Sequence, residues 1–277
     1  MRPQAQDIAV PPFPPGATWI GPEPPAVERI CARGPLLVHF VDVAHINSVR
    51  TLDYVCAWAA RYADLGLTVL GVNSPRFPFT SRPERLAAAL GRLDVGFPVA
   101  VDSDYEIWHG YGCSGWPSLF LWGTGGALRW YHFGEGEYQA TEAVIREELT
   151  ELQPPSVQVP EPLAPLRASD APGALVAAPS QEVFPGGSVS EPWRAADDDE
   201  PLRIRYAAGG AWATVDGRGS LLVSVDGGPA TPVAIDAPGA YELASHAWHE
   251  SHELSLGAAP GVSVYSVAFA AGVPRPK

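Results

Sequence analysis

The sequence predicts an α/β domain followed by an all-β domain of sandwich or jelly-roll type. Three features carry that expectation. In the first half, apolar β-branched runs of strand length alternate with longer stretches of helical period. A proline-rich stretch follows, with eight prolines between Pro154 and Pro185. Beyond it come short alternating runs, "LRIRYAA", "AWATVDG", "SLLVSVDGG", "TPVAID", "AYELAS", "HELSLGA" and "VSVYSVAFA", punctuated by glycine, proline and Asp-Gly. Closely spaced strands with turn signals between them suit a sandwich or jelly roll.

In order along the chain, "PLLVHFVDV" and "LTVLGVNS" read as buried strands. They are joined by a helix on which Leu52, Val55, Cys56 and Ala59 recur at helical spacing, which makes a βαβ unit. "TSRPERLAAALGRL" has a hydroxyl cap, an early proline and an Ala/Leu body, the marks of a helix start. After it come a strand in "FPVAVDS", a short helix around "DYEIWHGY", a hairpin in "PSLFLWGTGGALRWYHF" turned at Gly-Gly, and a helix in "TEAVIREELTEL". The expected organisation is an α/β domain over 1–152, a proline-rich connector over 153–182 that wraps or tethers, and the β domain over 183–277.

The chain has 277 residues, ample for two domains that each bury a core. With 18 basic and 31 acidic residues its net charge is −13, so phosphate backbones and anionic membranes would repel it, and nucleic acid is not an expected partner. The opening "MRPQAQDIAVPPFPPGATWIG" lacks an apolar signal core, and no stretch has the roughly 20 apolar residues of a membrane span. Cys31, Cys56 and Cys113 are odd in number and widely spaced, unlike a disulfide framework or a zinc site. The expectation is a cytoplasmic protein without a membrane span.

The runs "FPPGATWIG", "LLVHF", "INSVRTLDYV", "GLTVLGVNSPRFPF", "FPVAVDSDYEIW", "YGCSGWPSLFLW" and "FGEGEYQATEAVI" together resemble the thioredoxin-like region, of TlpA kind, of DipZ-type proteins. That family is linked to thiol-disulfide exchange and cytochrome c maturation. The resemblance spans most of residues 12 to 270, because DipZ-type proteins append a β-sandwich similar to carbohydrate-binding modules. It implies a thioredoxin-like fold, a cis-proline at Pro117, and an active-site helix opened by two cysteines with two residues between them. A thiolate at a helix start is stabilised by unpaired amides and the macrodipole, which makes it nucleophilic at neutral pH. Here His45 stands at the first cysteine position and Ser48 at the second, while Ile46, Asn47 and Arg50 match. Disulfide exchange needs two sulfurs, and this turn has none. The membrane-spanning electron supplier that many DipZ-type proteins carry ahead of this region is likewise not expected.

Each candidate residue has two readings. His45 at a helix start favours a neutral imidazole able to take a proton or bind a metal, or it merely replaces a cysteine. Ser48 is a nucleophile if a base adjoins it and otherwise a helix-start hydroxyl bonded to a free amide. Cys113 paired with His45 would make a minimal nucleophilic pair; turned inward it is packing. Trp116 precedes Pro117, where thioredoxin-fold proteins hold extended substrates by backbone hydrogen bonds, and it offers a wall to such a groove. Cys56 and Trp58, Trp108, Trp122 and Trp130 read as packing.

In the β domain, His246, His249 and His252 fall at three-residue steps, a spacing that could gather a metal but that a solvated loop explains as well. The acidic run at 197–200 lacks the alternation and glycine of a calcium loop and reads as a solvated turn. Trp193, Tyr206, Trp212, Tyr241 and Trp248 are the aromatics available for glycans. No cofactor or metal is expected. The leading expectation is a non-redox binding protein that holds a peptide, small molecule or protein partner in the former active-site cleft, lined by His45, Ser48, Cys113, Trp116 and Pro117, with Asn47, Arg50, Trp116 and Pro117 as the ligand-binding residues. Two alternatives stand beside it: an oxidoreductase or other enzyme using Cys113, His45 or Ser48, and glycan recognition by the β domain.

Overall fold

The computed structural model describes residues 1–3, 8–195 and 200–276. Asp197, Asp198 and Asp199 of the acidic run lie outside the described residues. The chain forms two compact units: residues 1–42, 47–75 and 93–166 make the first, and residues 43–46, 76–92 and 167–277 the second.

The first unit is built on a six-stranded mixed sheet. Its elements are β1 (Trp19–Ile20), α1 (Val27–Cys31), β2 (Leu36–Val41), α2 (Ile46–Tyr62), β3 (Thr68–Asn73), and, after α3 (Pro83–Arg92), which groups with the second unit, β4 (Val99–Val101), α4 (Glu106–Gly110), β5 (Ser118–Trp122), β6 (Leu128–Phe133) and α5 (Tyr138–Leu152). The strand order is β1-β4-β3-β2-β5-β6, parallel across β4-β3-β2 and antiparallel elsewhere. This is a thioredoxin-like fold. The β5-β6 hairpin turns at Gly125 and Gly126, both at positive φ that only glycine adopts without strain.

Both faces of the sheet are covered, which is why β2 is buried at every position and reads as an unbroken apolar run but for one residue. One face holds Leu36, Val38, Phe40, Leu70, Phe120 and Trp122 against Trp108, Tyr111 and α1. α2 and α5 carry aromatics of their own: Tyr54 stacks on Tyr138 with centroids 3.8 Å apart, and the Tyr62 hydroxyl donates to buried Glu142. The proline-rich segment straps this region. Leu163 N–H donates to both Glu142 oxygens at 3.0 Å, and Leu166 N–H donates to the Tyr54 hydroxyl at 2.7 Å. A carboxylate so enclosed is tolerated because its lone pairs are met.

The exception in β2 is His39, which is fully buried and, among the described residues, has no hydrogen-bond partner at either ring nitrogen. It pairs in register with Gly71 on β3 and Leu119 on β5, the centre of the sheet. Gly71 is held to glycine, since a Cβ there would fall 2.9 Å from Val99 Cγ2.

The second unit carries a five-stranded antiparallel sheet, β7 (Leu202–Gly217), β8 (Gly219–Val225), β9 (Thr231–Ile235), β10 (Gly239–Ala258) and β11 (Val262–Ala270), in the order β11-β7-β10-β8-β9. Its apolar core gathers Ile204, Tyr206, Val215, Leu221, Leu254, Leu256, Val264 and Phe269. "LRIRYAA" and "AWATVDG" join through Gly209-Gly210 into the single strand β7. "AYELAS" and "HELSLGA" join into β10, so His246 to His252 lie within a bulged strand and not in a separate loop. Asp226 and Gly227, both at positive φ, turn β8 into β9. The extended segment before β7 bridges Val183 to Val267 and Trp193 to Val264, both on β11.

α3 and residues 43–46 take their contacts from this unit. Arg92 at the end of α3 lies over the Tyr241 ring at 4.0 Å and donates to Ala240 O at 3.0 Å. Ala44 packs with Phe77, Phe79, Phe184, Val189 and Tyr265, and Ile46 with Trp212, Ala268 and Ala270.

Candidate functional site

The turn from β2 into α2 supplies most of the candidate residues. Two backbone carbonyls at its apex are already spoken for within the second unit: Val43 O accepts from Ala240 N–H at 3.2 Å, and Ala44 O accepts from the Thr214 hydroxyl at 2.6 Å. His45 is partly buried there, facing the Arg76–Glu182 ion pair, whose N–O distance is 2.7 Å. Burial, then the charge of Arg76, depresses its imidazole to about 4, against an opposing pull from Glu182. At neutral pH the ring is uncharged, as the helix-start position also favours. A base that weak is far from the match to working pH that general-base catalysis wants.

In the first unit, Ser48 is fully buried. Its Oγ accepts a hydrogen bond from Asp42 N–H at 3.2 Å, so the hydroxyl ties the helix back to the end of β2. This differs from the helix-start amide expected from sequence, and it leaves the oxygen enclosed. Asn47 is partly exposed. Arg50 is buried to 8% exposure and its Nε meets Glu135 Oε1 at 2.6 Å, an ion pair with the loop ahead of α5.

The loop before β5 carries Cys113, Trp116 and Pro117, and the Trp116–Pro117 peptide bond is cis. Trp116 and Cys113 both pack against the apolar cluster of Phe40, Trp108 and Phe120. The indole of Trp116 is partly exposed, donates its N–H to Ser74 O at 2.8 Å and lies 4.5 Å from the Trp108 ring, so the ring is fixed in place. Burial drives the Cys113 thiol up to about 12, far from the thiolate that a nucleophile needs. Pro117 is buried.

One polar network here was not anticipated. Asp102 is buried and accepts from Ile107 N–H and Trp108 N–H, both at 2.9 Å, and from the Ser74 hydroxyl at 2.7 Å. It thereby caps α4 and braces the residue that holds the Trp116 indole. An aspartate ahead of "YEIW" is the sequence signal that could have found it. Tyr105 adds a hydrogen bond from its hydroxyl to Pro75 O.

In the second unit the aromatics available for glycans are largely committed to packing. Tyr206 and Tyr241 are buried, and Trp193 and Trp212 pack against apolar clusters. Trp248 is partly exposed. Among the described residues no group of three or more His, Cys, Asp or Glu is placed to hold a metal, and no helix is long and apolar enough to cross a membrane.

These features define a thioredoxin-like protein whose helix-start turn carries histidine and serine. The chain is homologous to the protein DipZ of Mycobacterium tuberculosis, 26% identical over 269 residues that include 84% of this chain and 38% of DipZ. It thus spans well under half the length of that relative. The bovine NHL repeat-containing protein 2 is 31% identical over 134 residues, 47% of this chain and 18% of that protein. Among solved structures, a thioredoxin-like superfamily protein aligns with a TM-score of 0.47 at 22% identity, covering 54% of this chain and all of that one. No family model matches the chain.

Proposed function

We propose that this protein is a non-redox binding protein on a thioredoxin-like scaffold, descended from a thiol-disulfide-interchange line whose cysteine pair has been replaced. The observation that carries the reading is the turn itself. Positions 45 and 48 are histidine and serine, and the Ser48 hydroxyl is buried and bonded to Asp42 N–H. With no sulfur at either position, the mixed disulfide of thiol exchange and its resolution have no atoms to form on.

The loop Ser114-Gly115-Trp116 is the surface this reading assigns to a partner. Ser114 is exposed, Gly115 and Trp116 partly so, and the Trp116 ring is held by Ser74 and Trp108 before any ligand arrives. A pre-fixed aromatic beside exposed backbone suits an extended peptide or protein segment, which pairs by main-chain hydrogen bonds and seats a side chain on the ring. Chemistry through Cys113 is disfavoured by the burial of its thiol.

The test is a peptide array probed with the purified protein, followed by titration of the strongest hit. Trp116→Ala should weaken the best binder at least tenfold, while Cys56→Ala, at a partly buried position of α2, should leave it unchanged. Equal affinity for wild type and Trp116→Ala across the hits would remove this loop from the account.

A further inference from the structure

In the second unit β10 bulges. Ser245 pairs with Gly210 and Glu250 with Ala208, so residues 246–249 stand opposite Gly209 alone. At the base of the bulge the rings of His246 and His252 stack, with centroids 3.7 Å apart and planes 13° apart. His252 Nδ1 lies 2.8 Å from Asp226 Oδ2, and the Tyr206 hydroxyl lies 2.7 Å from His246 Nε2. Tyr206 is itself stacked on Phe269, which fixes that side of the pair.

The bulge grips the C-terminal segment. His249 N–H donates to Val273 O at 2.8 Å, His249 bridges to Pro274, and Glu250 Oε1 meets Arg275 Nε at 2.8 Å. The segment crosses β7 at Gly209, where a Cβ would fall 2.7 Å from Gly272 Cα; only glycine permits so close a crossing. On its other side Gly272 O accepts from Ala177 N–H at 2.9 Å.

The Asp226 carboxylate lies against the stacked pair on its His252 side and offsets one positive charge there. A second positive charge is less well offset. Asp226 and then Glu250 pull on His246, but Asp226 is already paired with His252 and Glu250 with Arg275, and Glu253 is taken by Arg205 and Arg203. Tyr206 stays neutral, its phenol pushed up to about 12 by burial, and His249 brings no negative charge. Two imidazolium rings in face-to-face contact would repel with little counter-charge between them. Burial, and then His252, already hold His246 below the ordinary histidine range.

We propose that the His246–His252 stack is a proton-operated latch: with one proton or none it holds the 246–249 bulge closed on residues 271–275, and the second proton expels His246 and frees that segment. The bulge is the bistable element, and the rings at its base are the trigger.

Amide hydrogen exchange resolved by NMR tests this on the intact protein. Between pH 7.5 and 5.5, protection factors corrected for intrinsic exchange should fall about fivefold at the His249 and Ala177 amides, within the roughly tenfold ceiling that a single histidine proton sets over this window. The Trp193 amide, bonded to Val264 O in the same unit, should keep its protection. His246→Phe retains a stacked ring that cannot titrate, so its His249 and Ala177 amides should stay protected throughout. Unchanged protection in the wild type, simultaneous loss at Trp193, or the same acid loss in His246→Phe would each overturn the latch.

Discussion

His39 makes the first unit acid-sensitive, and the size of the effect follows from its burial. The ring is fully buried with no hydrogen-bond partner among the described residues, and burial alone depresses it to about 3 from an unfolded value near 6.5. The folded state refuses a proton that the unfolded state accepts, so stability is fully present above about pH 6.5 and falls as pH drops toward 3. At pH 5 the difference is about 1.5 pH units of linkage, or about 2 kcal/mol, and by pH 3 it is about 4 kcal/mol. Against a typical domain stability of about 5–15 kcal/mol this is large. His39→Leu, similar in volume and apolar, removes this pH dependence. Exchange at the Gly71 amide, which is bonded to Pro98 O beside His39 in the sheet, reports the unit's stability. Between pH 7 and 5 its corrected protection should fall about thirtyfold more in wild type than in His39→Leu. Identical pH dependence in the two proteins would mean that the ring is hydrated or partnered in solution, and the reasoning from its burial would fail.

Three further outcomes follow from the same structure. All three thiols are raised by burial, Cys31 and Cys56 to about 11 and Cys113 to about 12, so iodoacetamide at pH 8 should label Cys113 on the order of a thousandfold more slowly than a free cysteine; rapid labelling read by mass spectrometry would contradict its placement. Arg50→Ala strips the partner from Glu135 where the two side chains are 9% and 19% exposed, and should cost about 3 kcal/mol in urea unfolding, whereas a loss under about 0.5 kcal/mol would show the pair to be solvated. Asp102→Ala removes the α4 cap and the Ser74 bond together, at a cost of about 2 kcal/mol by the same measurement, and should shift the fluorescence of the Trp116 indole held by Ser74; neither change would mean that Asp102 is not the brace.

The order of elements over residues 1–152 was legible because each left a local mark: the apolar run of β2, the helical spacing of Leu52, Val55 and Cys56, the Pro83 start of α3, and the Gly125-Gly126 hairpin. What stayed hidden was packing between residues far apart in sequence. Ala44 beside Phe184 and Tyr265, or His45 beside Arg76 and Glu182, has no signature in a local window. In the second unit, Gly209-Gly210 and the polar stretch 246–251 look like strand ends; the structure runs β7 and β10 straight through them, because Gly209 accommodates a backbone crossing and residues 246–249 are accommodated as a bulge. The candidate residues themselves were found from the resemblance, yet their states were not: Ser48 buried and bonded, Cys113 packed, Trp116 pinned. His39 was visible all along as the one polar residue in an apolar run, a pattern that announces a buried titratable group and does not say whether it has a partner.

The central claim is that the turn no longer exchanges disulfides, and insulin reduction with dithiothreitol as electron donor tests it most directly. The wild-type protein should leave the rate at the uncatalysed level, since His45 and Ser48 can form no mixed disulfide, while the double substitution His45→Cys and Ser48→Cys should raise it above that level. Reduction by the wild-type protein well above the uncatalysed rate would place a working thiol elsewhere in the chain and contradict the non-redox account.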